Sequence, residues 1–182
     1  MRALILSLAL VIAAAGTALA QDATPENTLV LQLKDGEVRI ALDAERAPDH
    51  AERLKTLANQ GFYDGLKFHR VIPGFMAQTG DPRGDGTGGS DLPDLKAEFS
   101  DVPFERGTVG MARSSDPDSA NSQFFIMFDR ADFLDNQYTV GGQVTDGMDA
   151  VDAIKKGSRS NNGAVTDPDT IVRARTADQM GS

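Results

Sequence analysis

The sequence predicts a mainly β protein, an antiparallel barrel of seven or eight short strands with only two helices. Three observations carry this reading. Leucines at 29, 31 and 33 alternate along the chain, and Val38, Ile40 and Leu42 repeat the alternation after an Asp35-Gly36 pair. An Asp-Gly between two period-2 runs is the strongest short-range hairpin signal. Further short apolar runs recur between Gly/Pro-rich turns, and helical spacing appears only twice, so there is no βαβ rhythm.

The elements follow in order. After the hairpin, Ala51, Leu54, Leu57 and Ala58 lie at helical spacing. Pro48 and Asp49 suit the first turn and Gly61 the stop, which predicts a helix of about twelve residues. His50, in that first turn among charged neighbours, reads as a solvated surface residue. Gly61-Phe62-Tyr63-Asp64-Gly65 is a turn. It leads into Phe68-His69-Arg70-Val71-Ile72-Pro73-Gly74-Phe75-Met76-Ala77-Gln78-Thr79-Gly80-Asp81, read as two strands joined at Pro73-Gly74. One cation, two large apolar side chains and one amide would then lie close together. Strand alternation puts Phe68, Arg70 and Ile72 on one side and His69 on the other, which makes His69 a packed, hydrogen-bonded structural histidine pointing away from Arg70. Met76 pairs with Gln78 in the same way, which leaves Phe75 at an irregular strand start.

The loop Asp81–Ser90 holds four glycines. A phosphate loop would need Gly-Lys-Ser/Thr, which is absent. A calcium loop starting at Asp81 would put Arg83 and Leu92 where an oxygen ligand and a glutamate are required. The loop therefore reads as one that needs positive φ and close backbone approach. Phe99–Phe104 carries a short apolar pattern, and Gly107–Ala112 looks like a strand. Ser122–Phe128, the most continuous apolar run after the leader, suits a buried central strand. Tyr138–Val144 gives another strand. Met148, Val151 and Ile154 mark one face of a second helix ended by Gly157, and Ile171–Arg175 closes the fold.

Composition narrows the chemistry. With 182 residues, 40% hydrophobic and 25% charged, the chain can bury a core as one domain. A net charge of −9 without a basic cluster argues against nucleic acid as a partner. There is no cysteine, hence no disulfide, thiol nucleophile or thiolate metal site. Neither a metal nor another cofactor is implied.

Residues 1–20 differ in kind: Arg2, an apolar run from Ala3 to Ala15, then Gly16-Thr17-Ala18-Leu19-Ala20. The Ala-Leu-Ala end fits a signal peptide cleaved after Ala20, so a periplasmic or secreted protein starting at Gln21 is expected, with a net charge of −10 once Arg2 is removed. The alternative is a retained membrane anchor, since the run approaches spanning length. On the cleaved reading no stable membrane association follows. Residues 21–27 read as a spacer, 28–176 as the barrel domain and 177–182 as a tail. No heptad or broad apolar stripe suggests more than a monomer.

Three blocks, the Phe68–Asp81 stretch, Gln123-Phe124-Phe125 and Phe133-Leu134-Asp135, occur in an order and spacing that resembles the cyclophilins. Asp85–Gly89, Gly107–Ala112 and Gly141-Gly142-Gln143-Val144 agree with it, and the compact turn at 61–65 is similar to the short bacterial exported members. The resemblance implies a closed eight-stranded antiparallel barrel capped by two helices, and peptidyl-prolyl cis-trans isomerase activity on proline-containing polypeptides in assistance of protein folding. It makes Arg70 and Gln78 the catalytic residues, with Phe75, Met76, Phe125 and Leu134 forming the proline pocket. Gln123 would lie near the substrate backbone, and the chain around Ala112 and Arg113 would receive the peptide. Phe133 stands where many eukaryotic cyclophilins have tryptophan, Tyr138 where they have histidine and Arg113 where they have asparagine. Phe133 keeps an apolar wall but removes the indole N–H, so weak cyclosporin binding is expected. Gly141, in place of a bulky residue, would loosen the groove floor. The alternative function is a proline-peptide-binding chaperone or scaffold with little turnover.

The chemistry can be argued from the residues themselves. The X-Pro bond resists rotation by ~18–20 kcal/mol because it is a partial double bond. Catalysis must weaken that resonance and needs no covalent intermediate. A cation donating to the prolyl nitrogen as it pyramidalises favours the twisted state over the planar one.

Overall fold

The computed structural model describes residues 23–181, so the expected signal peptide and the first two spacer positions lie outside the described residues. The remainder of the spacer ends in a 3-10 turn, Pro25–Asn27.

Eight strands form one sheet: β1 Thr28–Leu33, β2 Gly36–Leu42, β3 Arg70–Ile72, β4 Met76–Thr79, β5 Thr108–Met111, β6 Phe124–Met127, β7 Val140–Asp146 and β8 Arg173–Thr176. Their order is β3-β4-β6-β5-β7-β2-β1-β8. Every pairing is antiparallel. The Asp35-Gly36 hairpin forms as expected, pairing Leu33 with Gly36. β6 is buried along its length, with β4 and β5 on its two edges.

The sheet curls but does not close, which corrects the expected closed barrel to an open half-barrel. Among the described residues no ladder joins the terminal strands β3 and β8; isolated bridges link Lys67 to Thr170 and Arg70 to Ala164 in the chain that leads into β8. The chain returning to β8 cannot hold a ladder there. Asn162 and Asp167 take left-handed φ angles of 49°, and Gly163 (φ 77°) and Pro168 interrupt the rest. That irregular return nevertheless docks on β3. Val71 donates to the Gly163 carbonyl (2.8 Å), and Gly157 donates to that of Val71 (2.9 Å). At Gly157 a side chain would collide with the Gly163 carbonyl, so this glycine serves close backbone approach. The second helix, α2 Met148–Ala153, has already ended before it: Ile154 is extended. Phe99–Phe104 forms no strand. Its last residue instead turns inward and is fully buried.

The first helix, α1 Pro48–Asn59, packs its buried face against β8, β1 and β7. His50 is fully buried, contrary to its expected surface place. The Glu98 carboxylate, forty-eight residues on, accepts the N–H groups of Asp49 (3.3 Å) and His50 (3.2 Å) and meets His50 Nδ1 at 2.5 Å. Ala47 offers no side-chain cap, so a distant carboxylate supplies the missing acceptor at the helix N-terminus. Local sequence cannot reveal a cap borrowed from a loop.

Two apolar clusters result, and they position the site. The larger, with Leu31, Ile40, Leu54, Phe68, Val71, Phe124 and Ile126, joins one face of the sheet to α1. The smaller, Ile72, Met76, Phe104, Phe125, Met127, Ala131, Leu134 and Val140, lies on the opposite face, with residues from β3, β4, β6 and β7. Gly141 belongs with the first: a Cβ there would meet Met111 Sδ at 3.3 Å and Leu54 Cδ1 at 3.4 Å. It does not loosen the floor of the second, which corrects that expectation.

Candidate active site

A groove of about 640 Å³ opens over the smaller cluster. Alternation along the strands aims its lining outward. Arg70 stands opposite Gln78 in the β3–β4 ladder, and Gln78 opposite Phe125 in the β4–β6 ladder, so the three share one face. Met76 lies on that face too. Phe75 precedes β4 in a turn, its N–H bonded to the Ile72 carbonyl at 3.0 Å, as the alternation requires. Leu134 and Phe133 come from a 3-10 turn, Asp132–Leu134, and Ala112, Arg113 and Tyr138 complete the wall. Of the residues expected at the site, all but Gln123 line this groove. Gln123 lines an adjoining polar groove of about 490 Å³, walled by residues 86–90 and by Ser114, Ser119 and Asn121.

The floor is aromatic. Phe125 stacks on buried Phe104 (centroids 5.9 Å, 25°) and meets Tyr138 edge-on (5.8 Å, 84°). Gly110 lies opposite Phe125 in the β5–β6 ladder, and a side chain there would run into both the Phe125 and Phe104 rings. Phe75 packs on Phe133 at 5.6 Å, and Phe133 stays 70% exposed as a rim. Asp135 anchors the turn carrying Phe133 and Leu134. It accepts the Phe104 N–H (2.9 Å) and a two-pronged contact from Arg130, and these hold its carboxyl down at about 2.

Arg70 is held by a chain of donors and acceptors. Its Nε and one terminal nitrogen donate to the Asn162 carbonyl (3.1 Å) and Oδ1 (3.0 Å), and the other donates to Gln78 Oε1 (3.1 Å). Gln78 Nε2 donates to Gln123 Oε1 (2.9 Å), and Gln123 Nε2 donates to the Gly86 and Gly88 carbonyls (3.1 and 2.8 Å). Three of five guanidinium N–H groups are thus used, and no carboxylate pairs with Arg70 among the described residues. Burial lowers its pKa from the ordinary value, yet arginine remains charged at physiological pH.

Arg113 is also preset. It donates to the Gln137 carbonyl through Nε (3.2 Å) and a terminal nitrogen (2.8 Å), and lies 4.5 Å over the Tyr138 ring. His69 borders the groove and is buried, as a packed histidine. Burial pushes its imidazole below the usual value, against the pull of the nearby Asp81 charge. Because Arg70 stays charged throughout, kcat/KM is expected to stay nearly flat from about pH 6 to 9. A bell-shaped profile centred near neutrality would assign His69 a proton-transfer role.

Asn162, Phe104 and Asp135 were not foreseen. Asn161-Asn162-Gly163 is a turn signal. Nothing in it points to an arginine ninety-two residues earlier.

Residues 28–176 match the family model for cyclophilin type peptidyl-prolyl cis-trans isomerase/CLD. The chain is a cyclophilin. A probable peptidyl-prolyl cis-trans isomerase of Brucella suis is 59% identical over 177 residues, covering 91% of this chain and 89% of that protein. The mouse peptidyl-prolyl cis-trans isomerase-like 3 is 38% identical over 135 residues, covering 71% and 82%. Among solved structures, a cyclophilin from Hirschia baltica superposes with a TM-score of 0.77 at 28% identity, covering 86% of this chain and 76% of that one. A Cryptosporidium parvum cyclophilin-type isomerase, crystallised in the presence of the dipeptide Ala-Pro, shares the fold (TM-score 0.74, 24% identity, 82% and 98% covered). This cyclophilin is therefore a peptidyl-prolyl cis-trans isomerase with its barrel left open at one seam.

Proposed function

We propose that the cyclophilin accelerates rotation about X-Pro bonds in exported polypeptides, with the proline ring on Phe125, between Met76, Phe75 and Leu134, and Arg70 donating to the prolyl nitrogen. The supporting observation is a guanidinium without a carboxylate partner among the described residues, fixed by three hydrogen bonds at the rim of an apolar pocket. The planar amide is the more polar form, so moving it into this pocket costs the ground state more than the twisted state. The twisted state alone presents a lone pair on nitrogen for the cation. Gln78 orients Arg70, and the chain at Ala112 and Arg113 receives the peptide backbone beside Gln123.

Turnover is tested by the isomerisation rate of a proline tetrapeptide with wild type and Arg70→Ala. Equal, accelerated rates would overturn the Arg70 mechanism, and a wild-type rate no faster than the uncatalysed one would leave a proline-peptide binder. Export is supported by the leader at residues 1–20 and is tested by N-terminal sequencing of periplasmic protein, which should begin at Gln21. An N-terminus at Met1 in the membrane fraction would replace it with an anchored protein. Because Phe133 has no ring N–H to donate, cyclosporin should inhibit only weakly. Nanomolar inhibition of the purified protein would contradict this.

A further inference from the structure

The relay that holds Arg70 does not end at Gln123. It ends on two backbone carbonyls of the glycine-rich loop, Gly86 and Gly88. That loop is organised by one buried carboxylate. Asp81 is 1% exposed, and its Oδ1 accepts the N–H of Arg83 (2.8 Å) while Oδ2 accepts those of Asp85 (3.0 Å) and Gly86 (2.6 Å). No cation pairs with Asp81 among the described residues. Burial disfavours its charge, but the N–H groups of Arg83, Gly86, Gly88 and Asp85 outweigh that and hold the carboxyl below the usual range. A side chain at Gly88 would collide with Asp81 Oδ1, so the loop is closed tightly round the carboxylate.

We propose that Asp81 is a positioning residue for isomerisation: by fixing the Gly86 and Gly88 carbonyls it sets the amide orientations of Gln123 and Gln78, and so the aim of Arg70. The inference rests on the role given to Arg70 above. The direction of the relay is what matters. Two carbonyls demand the Gln123 NH₂ group on the loop side, so Oε1 faces Gln78, whose own NH₂ must then face Gln123 and whose Oε1 is left for Arg70. If the loop carbonyls withdraw, Gln123 can turn over. Gln78 must follow it and would present NH₂ to a guanidinium that only donates. Arg70 would lose that bond while keeping its two to Asn162.

Asp81→Asn is the test, because an amide in either orientation points a donor at loop N–H groups. It is measured with a proline tetrapeptide in a cycle of wild type, Asp81→Asn, Arg70→Ala and the double variant, each checked by thermal unfolding. The expected result is about a tenfold fall in kcat with KM within about twofold, disappearing in the Arg70→Ala background. A loop that merely supports the fold would cost the same factor in both backgrounds, and that outcome overturns the proposal, as does wild-type kcat in Asp81→Asn. If Asp81→Asn does not fold, Gly88→Ala, which crowds the same oxygen, takes its place in the cycle. The Arg70→Ala arm separates the two readings. Equal rates there defeat the proposed mechanism, whereas a loss there without one in Asp81→Asn defeats this inference alone.

Discussion

Replacing Arg70 with alanine should lower kcat/KM on a proline tetrapeptide by about 10²- to 10³-fold, with most of the loss in kcat. The size follows from what the cation does. A charge-assisted hydrogen bond is worth ~1.5–3 kcal/mol, one to two powers of ten in rate, and a preorganised donor aimed at the transition state is worth ~2.7–4 kcal/mol, about 10²- to 10³-fold. Arg70 has that preorganisation, since Asn162 and Gln78 hold three of its N–H groups. Arg70→Lys should recover only part of the rate, because a point charge on a flexible stem cannot satisfy Asn162 and Gln78 and still address the substrate. Stopped isomerisation assays on the three proteins decide this, and a lysine variant as fast as wild type would show that charge alone suffices.

Phe125→Ala should cost about 3–5 kcal/mol of stability and raise KM at least tenfold. Phe125 is 5% exposed, and it joins the two halves of the pocket by stacking on Phe104 and meeting Tyr138. Its deletion leaves a cavity that neighbouring strands cannot fill, because the opposing position is Gly110, kept bare to admit the ring. The proline would lose its principal apolar surface. Phe125→Leu should recover much of the stability but less of the affinity, because it restores volume without a flat face. Denaturant unfolding and Michaelis kinetics on both variants check the separation. A KM unchanged in Phe125→Ala would move the proline elsewhere in the groove.

Much of the site was legible because it is built from alternation. Once Phe68–Asp81 is read as two strands, Arg70, Met76 and Gln78 are placed by period 2, and the β3–β4 ladder brings Arg70 opposite Gln78 as that reading requires. The failures share a cause. His50 was read from its charged neighbours in sequence, but its environment is Glu98, which arrives from a loop. Gly141 was assigned to the groove floor, but its face of the sheet looks toward Leu54 and Met111.

By itself the sequence determined the hairpin, the extent of α1, the antiparallel β character and the shared face of Met76 and Gln78, while the rest of the groove's side chains were implied by the resemblance to the cyclophilins. The former depend on local periodicity, turn chemistry and residue type, which the chain carries along its length. Only the tertiary structure decided that the sheet stays open between β3 and β8, that Glu98 caps α1, and that Asn162 holds Arg70. Each of these joins segments distant in sequence through backbone carbonyls or single side chains, and such pairings leave no period to read. The same holds for Asp81, whose carboxylate gathers a loop, with the loop carbonyls in turn orienting two amides.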